Sequence, residues 1–137
     1  MNVSKHFTLK ELTASQTATR LKIKEQFTPP LSVVANLHYL AELVLEPIRQ
    51  HYGPIFVSSA YRCAALNKAV KGSKSSFHLT GCAADIDFGS VEKNRELFNW
   101  IKENLPFTEL IDEYGFDWVH VAIAAGRESE KAIKVIK

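Results

Sequence analysis

From residue 33 to residue 48 the apolar side chains Val33, Val34, Leu37, Leu40, Ala41, Val44, Leu45 and Ile48 recur at three- and four-residue intervals. That spacing places them on one stripe of an α-helix running from about Ser32 to His51, and so long a stripe has to be covered by the rest of the chain. Every other element must therefore pack around this helix. Pro47 is its one internal irritant, because proline lacks the N–H that a helix interior uses. The lone histidines His6, His38 and His51 read as surface or packing residues rather than ligands.

The remaining elements are short. Thr8 and Glu11 have the spacing of a reciprocal helix cap, which predicts a helix from there to about Ser15. Residues 17–30 lack periodicity and end in Pro29-Pro30, so they read as loop. After the Gly53-Pro54 turn, Ile55 to Ser59 is apolar and β-branched and reads as a buried strand. Cys63 to Val70 reads as a short helix, and residues 72–76 as a polar loop leading to His78. Cys82 to Phe88 is a second strand whose parity puts Asp85 and Asp87 on one face. Ser90 caps a helix from Val91 to about Leu105, with Val91, Leu97, Phe98, Ile101 and Leu105 on its apolar side. Thr108–Tyr114 and Asp117–Ile123 form an antiparallel hairpin about Gly115-Phe116. The charged tail from Arg127 to Lys137 is compatible with a short helix, a strand or a frayed end. Helices first, then strands interrupted by one helix, predict an α+β fold with a small, mostly antiparallel sheet and helices packed on one side.

At 137 residues the chain is expected to form a single domain spanning 1–137, with a core that needs no disulfide staples. Its two cysteines, Cys63 and Cys82, read as buried free thiols. A net charge of +2 with no stripe of Lys or Arg gives no sign of a nucleic-acid partner. No segment reads as a run of about 20 apolar residues, so no membrane partner is expected. The N-terminus lacks the apolar stretch of a secretion signal, so synthesis in the cytoplasm, with release by lysis as one route to an outside target, is the expectation. A monomer is expected.

The chemistry concentrates in three residues. His78 and Asp85 stand in the run from Ser76 to Asp85, and His120 closes Asp117-Trp118-Val119-His120. Two imidazoles and one carboxylate suit a zinc ion, and three protein ligands leave a fourth position for water, the mark of a catalytic rather than a structural site. Cys82 is a poorer ligand candidate, because Asp85 completes the better set.

The pattern S-x-H-x-x-G-x-A-x-D, filled by Ser76, His78, Gly81, Ala83 and Asp85 and followed at distance by Trp118-Val119-His120, resembles the zinc peptidases that cut bacterial cell-wall peptides. That family includes D-alanyl-D-alanine carboxypeptidases, D-Ala-D-Ala dipeptidases of vancomycin resistance and phage L-alanyl-D-glutamate endolysins, and it shares its fold with the hedgehog signalling domain. Residues 6–12, Leu45 to Arg49 and Ser58 to Arg62 also resemble its short phage-type or bacterial branch, so the likeness spans roughly residues 6 to 123.

The resemblance implies that His78, Asp85 and His120 hold Zn2+, and that Arg62 binds the substrate carbonyl or the oxyanion, a task its planar, permanent charge suits. The competing reading of Arg62 is a surface salt bridge. Ser76 is a substrate-binding or ligand-orienting candidate, with turn formation as its alternative. A general base is also required, and two carboxylates compete for the role. Asp117 stands three residues before His120, where the family carries an acid, and is preferred; Glu113 on the preceding strand is the other candidate. Strand parity puts Asp117 opposite His120, although a turn need not keep the pleat. Ala60 stands where the family pattern has glycine and would be strained if its φ were positive. The function implied is zinc-dependent hydrolysis of peptidoglycan stem peptides, of D,D-carboxypeptidase or L-Ala-D-Glu endopeptidase type. The alternatives are a non-catalytic, hedgehog-like zinc-binding module and a metal-free scaffold.

Overall fold

The computed structural model describes residues 1–137. Helix α1 (Leu9–Thr13) begins with the expected cap: Thr8 Oγ1 accepts from the Glu11 N–H at 3.1 Å, and Glu11 Oε1 accepts from the Thr8 N–H at 2.8 Å. It ends before Ser15, because the Ser15 hydroxyl caps a second helix, α2 (Gln16–Arg20), by accepting from the Ala18 N–H. The expectation of a plain loop over 17–30 is thus corrected. That stretch holds α2 and a 3-10 turn (Lys24–Phe27), short enough that tertiary contacts rather than periodicity specify them.

The long helix forms as expected. It runs as α3 (Leu31–Leu40), a wider turn (Ala41–Leu45) and α4 (Glu46–Tyr52), a continuous rod of 22 residues. At the junction the Glu46 N–H bonds to the Ala41 carbonyl, a step of five residues instead of four. The extra residue widens the helix just before Pro47, where a regular ladder would be broken. The rod is long and apolar enough to cross a membrane, which the sequence reading did not register. Its stripe of Val33, Leu37, Leu40, Val44, Leu45 and Ile48 is spent on the core, however, and Glu42 is exposed on the other side. Such a helix is explained by protein packing alone.

Five strands follow among three further elements: β1 (Val57–Ser59), α5 (Ala64–Ala69), a 3-10 turn (Phe77–Thr80), β2 (Ala83–Ile86), α6 (Val91–Asn104), β3 (Glu109–Glu113), β4 (Trp118–Ala122) and β5 (Ala132–Ile136). The sheet order is β1-β2-β4-β3-β5, antiparallel throughout except that β5 lies parallel to β3. The fold is α+β. The open question of the tail is answered by β5, which extends the sheet past the hairpin. Asp87 lies beyond the end of β2 and turns away to accept from the Gly89 N–H and from Asn94 Nδ2. Val91, expected on the apolar side of α6, is 48% exposed, and buried Asn94 takes the inward position and bonds Phe88, Phe116 and Asp117 backbone groups.

Register divides the sheet into two working faces. Ala84, Ile86, Leu110, Val119 and Val121 join Leu97, Phe98 and Ile101 of α6 and the stripe of the long helix in one hydrophobic cluster. Each fully buried Leu or Ile there contributes about 1.5–3 kcal/mol relative to exposure. The alternate residues point the other way: Asp85 and Ile111 are both cross-strand partners of His120, so the three form one row across β2, β4 and β3. The core face holds the sheet, and the opposite face carries the chemistry.

Candidate metal centre

Two local devices deliver the three predicted ligands. Asp85 and His120 need only the β2–β4 register that pairs them. His78 comes from the 3-10 turn, whose start is capped by the Ser76 hydroxyl accepting from the His78 N–H at 3.1 Å. The turn ends at Gly81, with φ +78°, where an added Cβ would sit 3.0 Å from both Val33 Cγ1 and the Val33 carbonyl oxygen. Glycine is required there twice over, for the left-handed backbone and for the close approach to α3. The core helix therefore sets the height at which His78 enters the site.

The ligand atoms of His78, Asp85 and His120 all lie within 4.8 Å of one another. Asp85 Oδ1 is 3.2 Å from His78 Nε2 and 3.1 Å from His120 Nδ1. The far nitrogen of each ring is anchored: His78 Nδ1 donates to the Ala60 carbonyl at 2.5 Å, and His120 Nε2 donates to Glu109 Oε1 at 2.9 Å. Both tautomers are thereby set with a lone pair facing the shared carboxylate, as ligating imidazoles require. Cys82 takes no part in the cluster, and both thiols are buried and free.

Burial would raise the Asp85 carboxyl, but the charge and hydrogen bonds of His78 and His120 outweigh it and hold Asp85 well below the ordinary carboxylate range. Burial alone would lower the His120 ring, yet its bonds to Asp85 and Glu109 push it up to about 9.

Arg62 hangs from the segment after β1, and that segment is clamped on all sides. The Tyr61 N–H bonds to the Leu12 carbonyl and the Arg62 N–H to the His78 carbonyl, while buried Gln26 donates to the Thr13 and Tyr61 carbonyls and accepts from the Cys63 N–H. Ala60 is not among the residues with positive φ, so the departure from glycine costs no strain. The Arg62 guanidinium reaches Ser76 Oγ at 3.3 Å, and its Nε is buried without a protein partner. Ser76 is therefore both a turn cap and a support for Arg62.

These groups line one cleft of about 570 Å³, together with Glu109, Glu113, Trp118 and Lys134. Glu113 is half-buried on the same face of β3 as Glu109 and Ile111. Burial is the largest influence on its carboxyl and leaves it above the ordinary value, with Asp85 and Glu109 adding to the rise and His120 and Arg62 opposing it. Asp117, preferred from the sequence, is exposed on the hairpin turn and is absent from the cleft wall. The turn does not bend it back: Tyr114, Gly115 and Phe116 all have positive φ, and Asp117 is held through its backbone, its N–H donating to the Glu113 carbonyl and its carbonyl accepting from Asn94 Nδ2. Glu109 and Gln26 escaped the sequence reading. Strand parity from Glu113 was a usable signal for Glu109, whereas nothing local marked Gln26.

A profile of the Peptidase M15 family matches residues 5–122. The chain belongs to that family. Among curated proteins none matches it. M15 peptidases are zinc-dependent metallopeptidases, and the donor set of this M15 chain fits the ion: two imidazoles with fixed tautomers and one carboxylate, converging with a side open to the cleft. Strand β5 lies past the last residue that the family profile matches.

Proposed function

We propose that this M15 peptidase hydrolyses peptide bonds in the stem peptides of bacterial peptidoglycan, as a D,D-carboxypeptidase or an L-Ala-D-Glu endopeptidase, reaching the wall after release by lysis. The observation that carries the hydrolytic reading is the placement of Glu113 and Arg62 in the same cleft as His78, Asp85 and His120. The likeness of the motifs to cell-wall peptidases supports the choice of substrate.

His78 Nε2, a carboxylate oxygen of Asp85 and His120 Nδ1 would hold the zinc ion. When bound, the ion supplies Lewis-acid polarisation of a carbonyl and a water made nucleophilic near neutral pH. Glu113 is the base: its carboxylate would take a proton from the attacking water as the water oxygen bonds to the carbonyl carbon, and would return it to the amine nitrogen as the C–N bond breaks. Arg62 holds the carbonyl oxygen as it gains charge: its guanidinium lines the cleft, fixed by Ser76, and offers donors that need no proton transfer. Ser76 keeps that guanidinium in place. A carboxylate base and a free arginine would have no task in a module that only binds.

The test is incubation of the zinc-loaded and the chelated protein with purified peptidoglycan, with released fragments identified by mass. Release of D-alanine marks the carboxypeptidase, and new L-alanine C-termini with D-glutamate N-termini mark the endopeptidase. Zinc-dependent binding to the wall with no fragment released would instead favour the non-catalytic module.

A further inference from the structure

Glu109 occupies a position that the hydrolytic mechanism leaves without a task. Its Oε1 accepts from His120 Nε2 at 2.9 Å, and its Oε2 accepts from Lys134 Nζ at 2.8 Å. The Glu109 side chain is only 13% exposed, so its charge is not freely solvated, while Lys134 is 57% exposed and reaches it from outside. Lys134 belongs to β5, whose parallel register on β3 places it beside Ile111, the cross-strand partner of His120. An ordered row therefore runs from the outermost strand to the metal centre: Lys134, Glu109, His120.

We propose that Glu109 is a positioning residue for the metal centre, and that β5, beyond the family-matched segment, serves the site by clamping Glu109 through Lys134. The inference rests on the reading of His78, Asp85 and His120 as a metal centre. An imidazole presents one lone pair to a cation only if its other nitrogen carries the proton, and a carboxylate acceptor at that second nitrogen fixes both tautomer and ring plane. His78 has a backbone carbonyl for this purpose, and the backbone cannot swing away. His120 depends on a side chain, which three free torsions would let drift unless its second oxygen were held. Lys134 holds it. The strand arrives there by a strap over residues 124–131, fastened where the Phe107 N–H bonds to the Glu128 carbonyl, the Tyr39 hydroxyl bonds to Glu128 Oε2 and the Thr108 hydroxyl bonds to the Arg127 carbonyl.

The experiment measures zinc affinity of the full chain by competition with a chromophoric chelator, for the wild type, Glu109→Ala, Lys134→Met and the double variant, with His78→Ala as control. Loss of a carboxylate at this place costs about 10–100-fold in metal affinity, and that is the expected loss for Glu109→Ala. Lys134→Met should weaken binding by a smaller factor in the wild type and by nothing in the Glu109→Ala background, because its effect passes through Glu109. In the zinc-loaded wild type the His120 Nε2 proton should give a downfield, exchange-protected NMR signal that Glu109→Ala loses. A side chain that merely props up the fold would not move that signal. Should Glu109→Ala disturb folding, Glu109→Gln keeps the shape and removes the charge, and should still bind zinc more weakly than the wild type. Wild-type affinity in Glu109→Gln and Glu109→Ala, with His78→Ala abolishing binding, overturns this inference and leaves the metal centre standing. No zinc binding by the wild type overturns both.

Discussion

Glu113→Gln isolates the base. The substitution keeps volume and hydrogen-bonding shape and removes only the capacity to take a proton, so the three ligands and their anchors are untouched. Ile111 is the cross-strand partner of His120, and Glu113 lies two residues further along β3 on the same face, a displacement of about 7 Å at ~3.4 Å per residue. A glutamate side chain and one water are together long enough to cross that span. Loss of a positioned general base costs about 10²–10⁴-fold in rate, equivalent to roughly 3–5.5 kcal/mol of transition-state stabilisation at ~1.4 kcal/mol per tenfold. Asp117→Asn, on the exposed turn, should leave the rate within about twofold, in the ~0.5 kcal/mol range of surface substitutions. Single-turnover release of peptide from a synthetic stem pentapeptide or muropeptide, at saturating zinc and with metal content measured in each sample, reads both variants. Full metal content with kcat lowered as stated in Glu113→Gln, and near-normal kcat in Asp117→Asn, is the expected result. The opposite pattern, with Asp117→Asn inactive and Glu113→Gln unaffected, would refute the assignment.

Gly81→Ala should lower stability by about 2–5 kcal/mol, the sum of ~1–2 for a left-handed alanine and ~1–3 for the squeeze against Val33. At roughly 4 °C per kcal/mol the melting temperature falls by about 8–20 °C, and a fall under about 3 °C would contradict the packing described. Zinc must displace the proton that Asp85 and Glu109 hold on His120, so apparent zinc affinity should rise with pH up to about 9 and level off above it. Calorimetry at neutral pH in buffers of different ionisation enthalpy should register that released proton, and a pH-independent affinity would count against it. Burial works to raise Glu46, but the Ser4 hydroxyl and the ring and N–H of His6 outweigh it and leave the carboxyl below its ordinary value. Its stabilising effect is therefore complete above the unfolded-state value and lost as pH falls through the folded one. The melting-temperature gap between wild type and Glu46→Gln should be open at neutral pH and close below about pH 4, whereas a gap that stays constant would exclude the clasp.

Periodicity made the long helix and the α+β order legible, because a stripe of eight apolar residues speaks for itself, whereas the run expected as a buried strand over Ile55–Ser59 is a strand only at Val57–Ser59 and is partly exposed there. The cluster was legible for a different reason: His78, Asp85 and His120 are the types that bind a cation, and the fold brings their ligand atoms within 4.8 Å of one another. Short helices were lost because α2 is five residues long and shows no period beyond its local Ser15 cap, while Gln26 acts through partners distant in sequence, the carbonyls of Thr13 and Tyr61 among them. Which of Glu113 and Asp117 lines the cleft was not legible, because spacing from His120 counts residues along one strand, while the cleft is built across three. β5 was left open since its residues are exposed and carry no burial pattern at all. Its role appears only once Lys134 is seen to meet Glu109.

The central claim, that three residues remote in sequence hold one cation, is tested most directly by crystals of the zinc-loaded protein measured on both sides of the zinc absorption edge. A single anomalous peak about 2.0–2.2 Å from His78 Nε2, an Asp85 carboxylate oxygen and His120 Nδ1 is the predicted result. A peak coordinated by other residues, or no peak after loading, would contradict the account.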